Sequence, residues 1–114
     1  MHVTNISNFE DVKLDMKGAS GVKIKYLFHA DVDAERLQLR LFAIEVGGNT
    51  PFEKHIHEHH IFMLKGEALV KGADTEAIVG EGDVIFIQSW EEHQFKNIGE
   101  EELQFLCTKK TYRI

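Results

Sequence analysis

Residues 47–66 read GGNTPFEKHIHEHHIFMLKG and contain four of the seven histidines in this 114-residue chain. His55, His57 and His59 occupy alternate positions, so in an extended segment they would share one face with Glu53. Imidazole nitrogens and carboxylate oxygens are donors that Mn, Fe, Ni, Cu and Zn accept. The stretch therefore predicts a site for one divalent transition metal ion, and the residue types leave the identity of the metal open.

The sequence on both sides of this stretch predicts short β-strands separated by glycine turns. Apolar residues occupy every second position of Val22–Phe28 and of Leu37–Ile44, and Asp31–Ala34 is expected to form a polar turn. Shorter apolar runs follow at 61–64, 68–71, 77–79, 84–87 and 103–108. A helix over 34–43 is the alternative for the second of these strands, but leucine at every second position fits a period of two better. This pattern indicates an all-β sandwich or barrel.

Composition limits the classes of partner. The chain has 13 Lys and Arg against 19 Asp and Glu, which gives a net charge of −6 and argues against nucleic acid or anionic membrane as a main partner. No apolar run is long enough for a membrane span, and Met1–Lys17 lacks the apolar core of a signal peptide, so a cytoplasmic location is expected. The length fits one domain. Because Cys107 is the only cysteine, an internal disulfide is excluded.

The histidine-rich stretch resembles the first conserved motif of the cupins, which is usually G-x5-H-x-H-x3-E-x6-G. Here the pattern is Gly47, five residues, Glu53, one residue, His55, three residues, His59, six residues and Gly66. Glu53 stands where the family usually has a histidine, and His59 stands where it usually has a glutamate. The two exchanges together preserve the usual set of three histidines and one glutamate.

A second segment, GDVIFIQSWEEHQFKN at residues 82–97, is similar to the second cupin motif, usually G-x5-P-x-G-x2-H-x3-N. Gly82, His93 and Asn97 match that pattern, whereas Gln88 and Trp90 replace the usual proline and glycine. The turn before His93 is therefore expected to differ in shape, with Trp90 capping that end of the barrel. Fifteen residues separate the two motifs, as in compact members of the family.

The resemblance implies an antiparallel jelly-roll barrel, or double-stranded β-helix, that forms a single domain over residues 1–114. Residues 1–20 are then an N-terminal extension or arm. The family commonly forms homodimers through an exchanged or added N-terminal strand, which residues 1–30 could supply. A homodimer is therefore expected.

The resemblance also implies the metal ligands, namely Glu53, His55, His59 and His93. His57 is an alternative to Glu53 if the extended segment continues one step further. The implied function is that of a small metalloenzyme, similar to a dioxygenase or oxidase, acting on a small organic molecule, with its catalytic residues unknown. The alternative is a non-catalytic protein that binds or senses a metal or a small ligand.

Other side chains are expected to have structural roles. Cys107 alternates with apolar residues and is predicted to be buried and unreactive, and His60 is predicted to lie at the surface. The core is expected to hold five phenylalanines: Phe52, Phe62, Phe86, Phe95 and Phe105.

Overall fold

The computed structural model describes residues 1–29 and 36–110, and antiparallel β-sheet dominates both segments. The predicted turn at 31–34 lies outside the described residues. A 3-10 helix at Ile6–Asn8 precedes the strands. Within the described residues the strands are β1 (Val12–Lys13), β2 (Ser20–Phe28), β3 (Leu37–Asn49), β4 (His59–Lys65), β5 (Glu67–Lys71), β6 (Glu76–Gly80), β7 (Val84–Ile87), β8 (Gln94–Asn97) and β9 (Leu103–Lys110).

The all-β prediction and the period of two over 37–44 are confirmed. The alternating segment forms β3 and not the alternative helix, and β3 continues through the two glycines at 47 and 48 to Asn49. The apolar runs between residues 61 and 108 correspond to β4, β5, β6, β7 and β9. Sequence patterning works best for strands such as β4 and β9, whose buried residues alternate with more exposed ones.

The strands form one curled sheet in the order β6-β5-β8-β3-β9-β4-β7, and β2 and β1 extend from β3. Strand β3 has 13 residues and links the two halves, since it pairs with β9 over Leu37–Ile44 and with β8 at Asn49. Every strand pair is antiparallel. This topology confirms the antiparallel jelly-roll barrel that the resemblance implies.

The inward face of the barrel is apolar at one end. Phe105 stacks between Phe42 and Phe95 with ring centroids 5.0 and 4.7 Å apart, and Ile44 and Met63 are fully buried beside them. Burying each such side chain contributes roughly 1.5–3 kcal/mol. The prediction of five core phenylalanines is therefore right for Phe95 and Phe105. It is wrong for Phe52, Phe62 and Phe86, which are 45–53% exposed.

Gly66 of the first motif and Asn97 of the second stabilise connections between strands of the barrel. Gly66 links β4 to β5 with a φ of +88°, and a Cβ at that position would lie 3.1 Å from Leu103 Cα. Only glycine fits both the backbone conformation and the space. Asn97 is buried at the end of β8, where its side-chain amide donates to the carbonyls of Ile44 and Glu101. These hydrogen bonds connect β3 to the loop before β9.

The described part of the chain contains no helix long and apolar enough to cross a membrane.

Candidate metal centre

A cavity of about 230 Å³ opens at the other end of the barrel, above the stacked phenylalanines. Strands β3, β4 and β9 contribute to its wall, and so do Leu14 and Met16 from the segment predicted to be an N-terminal arm. All five predicted metal-site residues line it: Glu53, His55, His57, His59 and His93.

Three of these five lie closest together. His55, His59 and His93 each offer a ligand atom within 4.8 Å of the other two, and the three are here called the histidine cluster. Their ring centroids are 5.2–5.4 Å apart. His59 begins β4 and His93 precedes β8, so the barrel topology brings the two motifs together at this point.

His55 is held by a loop and not by a strand. Residues 50–58 are irregular apart from one bridge between Glu53 and His93, and the chain bends at residues 56 and 57. The extended segment considered from the sequence is therefore interrupted, although its odd-numbered side chains still line the same cavity. The bridge joins the two motifs directly, because Glu53 and His93 exchange both backbone hydrogen bonds at 3.1 and 2.9 Å.

The backbone of His55 is fixed by an unusual residue. The Trp90 amide donates to the His55 carbonyl at 2.6 Å, and Trp90 has a φ of +65°. A left-handed conformation costs a non-glycine residue roughly 1–2 kcal/mol, and this position is the one at which the second motif usually has glycine. The Trp90 backbone therefore adopts a glycine-like turn, while its side chain is 60% exposed.

A hydrogen bond at Nδ1 fixes the ring orientation of His93. Its Nδ1 lies 2.8 Å from the Glu91 carbonyl, which can only accept a hydrogen bond, so Nδ1 carries the proton. Nε2 is then left with a free lone pair, the form that binds a metal. Such a bond to the second nitrogen is typical of metal-binding histidines.

His59 is positioned in a similar way by Cys107. The Cys107 sulfur lies 3.4 Å from His59 Nδ1, and it also accepts a hydrogen bond from Arg40 Nη2 at 3.3 Å. His59 Nε2 is buried and has no hydrogen-bond partner among the described residues. Leaving a polar atom buried in this way costs roughly 1–3 kcal/mol, so this nitrogen fits a ligand of the cavity.

Burial keeps the His59 and His93 rings uncharged. It lowers the pKa of His59 to about 3, and the neighbouring His93 adds to the effect. Burial also lowers the pKa of His93, although the hydrogen bond to Glu91 opposes this. Both rings are therefore neutral at physiological pH, which is the state required for metal ligation.

Glu53 and His57 lie at the edge of the cluster. Glu53 Oε1 is 3.0 Å from His55 Nε2, about the separation of two adjacent donors bound to one metal at about 2.1 Å. The His57 ring is farther away, with its centroid 5.8 Å from that of His55 and 6.0 Å from that of His59. The Glu53 carboxylate thus contacts His55, but neither Glu53 nor His57 belongs to the group whose ligand atoms all lie within 4.8 Å of one another.

Residues that the sequence did not point to also line the cavity. Arg40 and Lys109 face it from β3 and β9. Cys107 is buried as predicted, and burial raises the pKa of its thiol, so it is protonated at neutral pH. His60 is exposed, which was also predicted, and its ring contacts the Glu58 carboxylate.

Comparison with known proteins gives a consistent assignment. Residues 40–109 match the family model described as "Cupin domain". The chain is 34% identical over 70 residues to 1-methylthio-D-xylulose 5-phosphate methylsulfurylase from Rhodospirillum rubrum, a match that covers 61% of this chain and 45% of that protein. It is 31% identical over 98 residues to the oxalate-binding protein of Thermotoga maritima, covering 82% and 79% of the two chains.

The fold also superposes on solved structures. The polyketide cyclase RemF from Streptomyces resistomycificus matches with a TM-score of 0.92 and 26% identity, covering 99% of this chain and 81% of that one. The family match includes all of the residues that form the histidine cluster. The chain therefore belongs to the cupin family.

Proposed function

We propose that the protein binds one divalent transition metal ion through Glu53, His55, His59 and His93. The buried Nε2 of His59, which has no hydrogen-bond partner among the described residues, carries this proposal, because it lies in a cluster of three imidazoles and a metal ion would supply its missing partner. With three nitrogen donors and one carboxylate, the set suits Mn, Fe, Ni, Cu or Zn.

The contact between Glu53 and His55 supports Glu53 as the fourth ligand. The carboxylate already lies 3.0 Å from an imidazole nitrogen of the cluster, and the backbone bridge to His93 holds it there. His57 lies at the bend in the loop, and its ring centroid is 5.8 Å from that of His55.

We further propose that the protein is a small metalloenzyme, similar to a dioxygenase or oxidase, that acts on a small organic molecule. Four protein ligands leave positions open on a metal that accepts five or six donors, and a bound metal there can act as a Lewis acid or a redox centre. The hydrogen bonds of His93 to Glu91 and of His59 to Cys107 hold these two imidazoles in place. Two of the similar proteins are named as enzymes, which supports a catalytic role.

A non-catalytic binding or sensing protein is the second candidate. His57 lines the cavity beside His55, and a set of five protein ligands would leave little room for a substrate. The Thermotoga maritima relative is named for binding oxalate and not for a reaction. Substrate-dependent turnover distinguishes the two candidates.

A homodimer also belongs to this proposal, as does the treatment of residues 1–114 as one cupin domain. Phe62 on β4 and Val84 on β7 are register partners, and together with Phe86 they expose 45–74% of their surface on the outside of the barrel. Exposed apolar side chains grouped in this way are typical of a surface that associates with another protein. We call Phe62, Val84 and Phe86 the outer apolar face.

Metal loading tests the site itself. The protein purified without chelator is expected to hold close to one transition metal ion per chain by elemental analysis. Saturating metal should raise the melting temperature by several degrees, since a ligand at about 100 times its Kd stabilises the folded state by about 2.7 kcal/mol. His60→Ala is the control and should load normally. Less than a third of an equivalent after reloading with Mn, Fe, Ni and Zn would contradict the proposal.

Alanine variants separate the two candidate fourth ligands. Glu53→Ala should weaken metal binding at least about tenfold, because even the loss of a residue that supports a ligand costs about 10- to 100-fold. His57→Ala should cost much less. Affinity is measured by competition with a chromophoric chelator at one pH, with His55→Ala as the damaging control. Normal binding by Glu53→Ala, with His57→Ala as damaging as His55→Ala, would show that the site consists of four histidines.

Oxygen consumption tests the catalytic assignment. The protein loaded with Fe or Mn is expected to consume O2 only when an oxidisable small molecule is present, in a panel of diketones, thiols and phenols. The same protein stripped of metal is the control and should show no uptake. Full metal loading without turnover on any member of the panel would favour the binding or sensing protein.

The mass in solution tests the dimer. The wild-type protein should elute at twice its chain mass of 13.1 kDa when light scattering is measured across the chromatographic peak. Phe62→Asp and Phe86→Asp each place a charge on the outer apolar face and should shift the protein to the monomer. A monomeric wild type would contradict the dimer, and unchanged dimers of both variants would exclude this face as its interface.

A further inference from the structure

The cavity contains two cations that the proposed metal site does not use. Arg40 on β3 and Lys109 on β9 both line it, and Glu53 is the only carboxylate among the described residues of its wall. Glu53 already contacts His55. The cavity is thus more positive than the acidic chain around it, whose net charge is −6.

Strand register places both cations beside the histidine cluster. Arg40 is the partner of Cys107 across β3 and β9, and Lys109 is the partner of His59 across β9 and β4. Residues two apart on a strand share a face, so Lys109 and Cys107 both point inward. Arg40 and His59 contact the same Cys107 sulfur, from 3.3 and 3.4 Å.

The Arg40 guanidinium has no compensating carboxylate in the part of the chain that the structure describes. No carboxylate of residues 1–29 or 36–110 lies within 4.0 Å of it, and its Nε is buried without a hydrogen-bond partner among those residues. Its two observed contacts are the thiol sulfur, a weak acceptor, and the Phe42 ring, 4.9 Å from Cζ to the centroid. A partly buried cation with such weak partners is costly unless a ligand supplies the negative charge.

The surroundings of Lys109 on β9 resemble those of Arg40 on the neighbouring strand β3. It is half-buried, and it forms no ion pair with a carboxylate in the described part of the chain. Burial lowers its pKa, and the positive charge of Arg40 adds to this effect. The negative charge of a bound anion would offset both the burial of the Lys109 ammonium and its repulsion by Arg40.

We infer that the cavity binds a small organic anion, whose carboxylate or phosphate oxygens contact Arg40 and Lys109 while its other end faces the histidine cluster. The planar guanidinium suits an oxyanion, because it can donate two parallel hydrogen bonds. At about 230 Å³ the cavity is smaller than the sites of about 300–1,000 Å³ that hold drug-sized ligands, which restricts the anion to a few heavy atoms. Only the orientation toward the cluster rests on the proposed metal site.

Calorimetric titration with matched probes tests this inference. Malonate, its neutral analogue malonamide and methyl phosphate are titrated into the full chain, both metal-free and zinc-loaded, at constant ionic strength. Malonate should bind at least about tenfold more tightly than malonamide, because a charged hydrogen-bonded pair is worth about 1.5–3 kcal/mol. Tighter binding of methyl phosphate than of malonate would identify a phosphate as the natural group, and the reverse a carboxylate.

Variants assign the binding to the two cations. Arg40→Met should weaken malonate binding at least about tenfold in both forms, with the zinc content unchanged at one equivalent. Arg36→Met is the matched control, because Arg36 is exposed and lies outside the cavity wall, and it should have no effect. Lys109→Met and Arg40→Lys, each expected to weaken malonate binding several-fold, carry the test if Arg40→Met fails to fold.

Two outcomes separate this inference from the proposed function. Equal binding of malonate and malonamide, or undiminished malonate binding by both Arg40→Lys and Lys109→Met, would overturn the anion site whatever the metal content. If zinc does not bind while the metal-free chain still binds malonate through Arg40, the anion site stands and the metal site is wrong.

Discussion

The pairing of β9 with both β3 and β4 is the constraint on which the rest of the site depends. A shift of one residue in either register would turn every inward side chain of that strand toward solvent. With the observed register, Phe42 faces Phe105 in the core, Arg40 faces Cys107, and Lys109 faces His59 at the cavity. On these strands every second residue faces inward. The inward residues are apolar at one end of the barrel and polar a few residues further along, at the cavity.

Several local hydrogen bonds hold the polar end of the barrel in place. Backbone hydrogen bonds between Glu53 and His93 connect the two motifs, and Trp90 keeps a left-handed backbone to bond the His55 carbonyl. Hydrogen bonds at Nδ1 fix the rings of His59 and His93. Strain and buried polar groups of this kind destabilise a small protein, and they are typical of functional sites, where the surrounding structure maintains them.

Much of the fold follows from the sequence, because period-two alternation and glycine turns are local signals. The residues of the histidine cluster could be named as ligand candidates because the two segments resemble the cupin motifs, and this resemblance implies metal ligands at these positions. Arg40 could not be identified in this way. Apolar residues occupy both faces of β3, with Leu41 buried on one and Phe42 on the other, so the alternation does not show which face meets the cavity. The prediction that Phe62 and Phe86 lie in the core is wrong for a related reason, because hydrophobicity alone does not distinguish a core residue from one on an outer apolar face.

Anomalous scattering from crystals of the metal-loaded protein would reveal directly whether one metal ion is held at the histidine cluster. Data collected on both sides of the absorption edge of the loaded metal identify the element and locate it. One peak per chain is expected in the barrel cavity, about 2.0–2.2 Å from a nitrogen of each of His55, His59 and His93 and from a Glu53 oxygen. An empty cavity in crystals that contain the metal elsewhere, for example at His60 and Glu58 on the surface, would contradict this expectation.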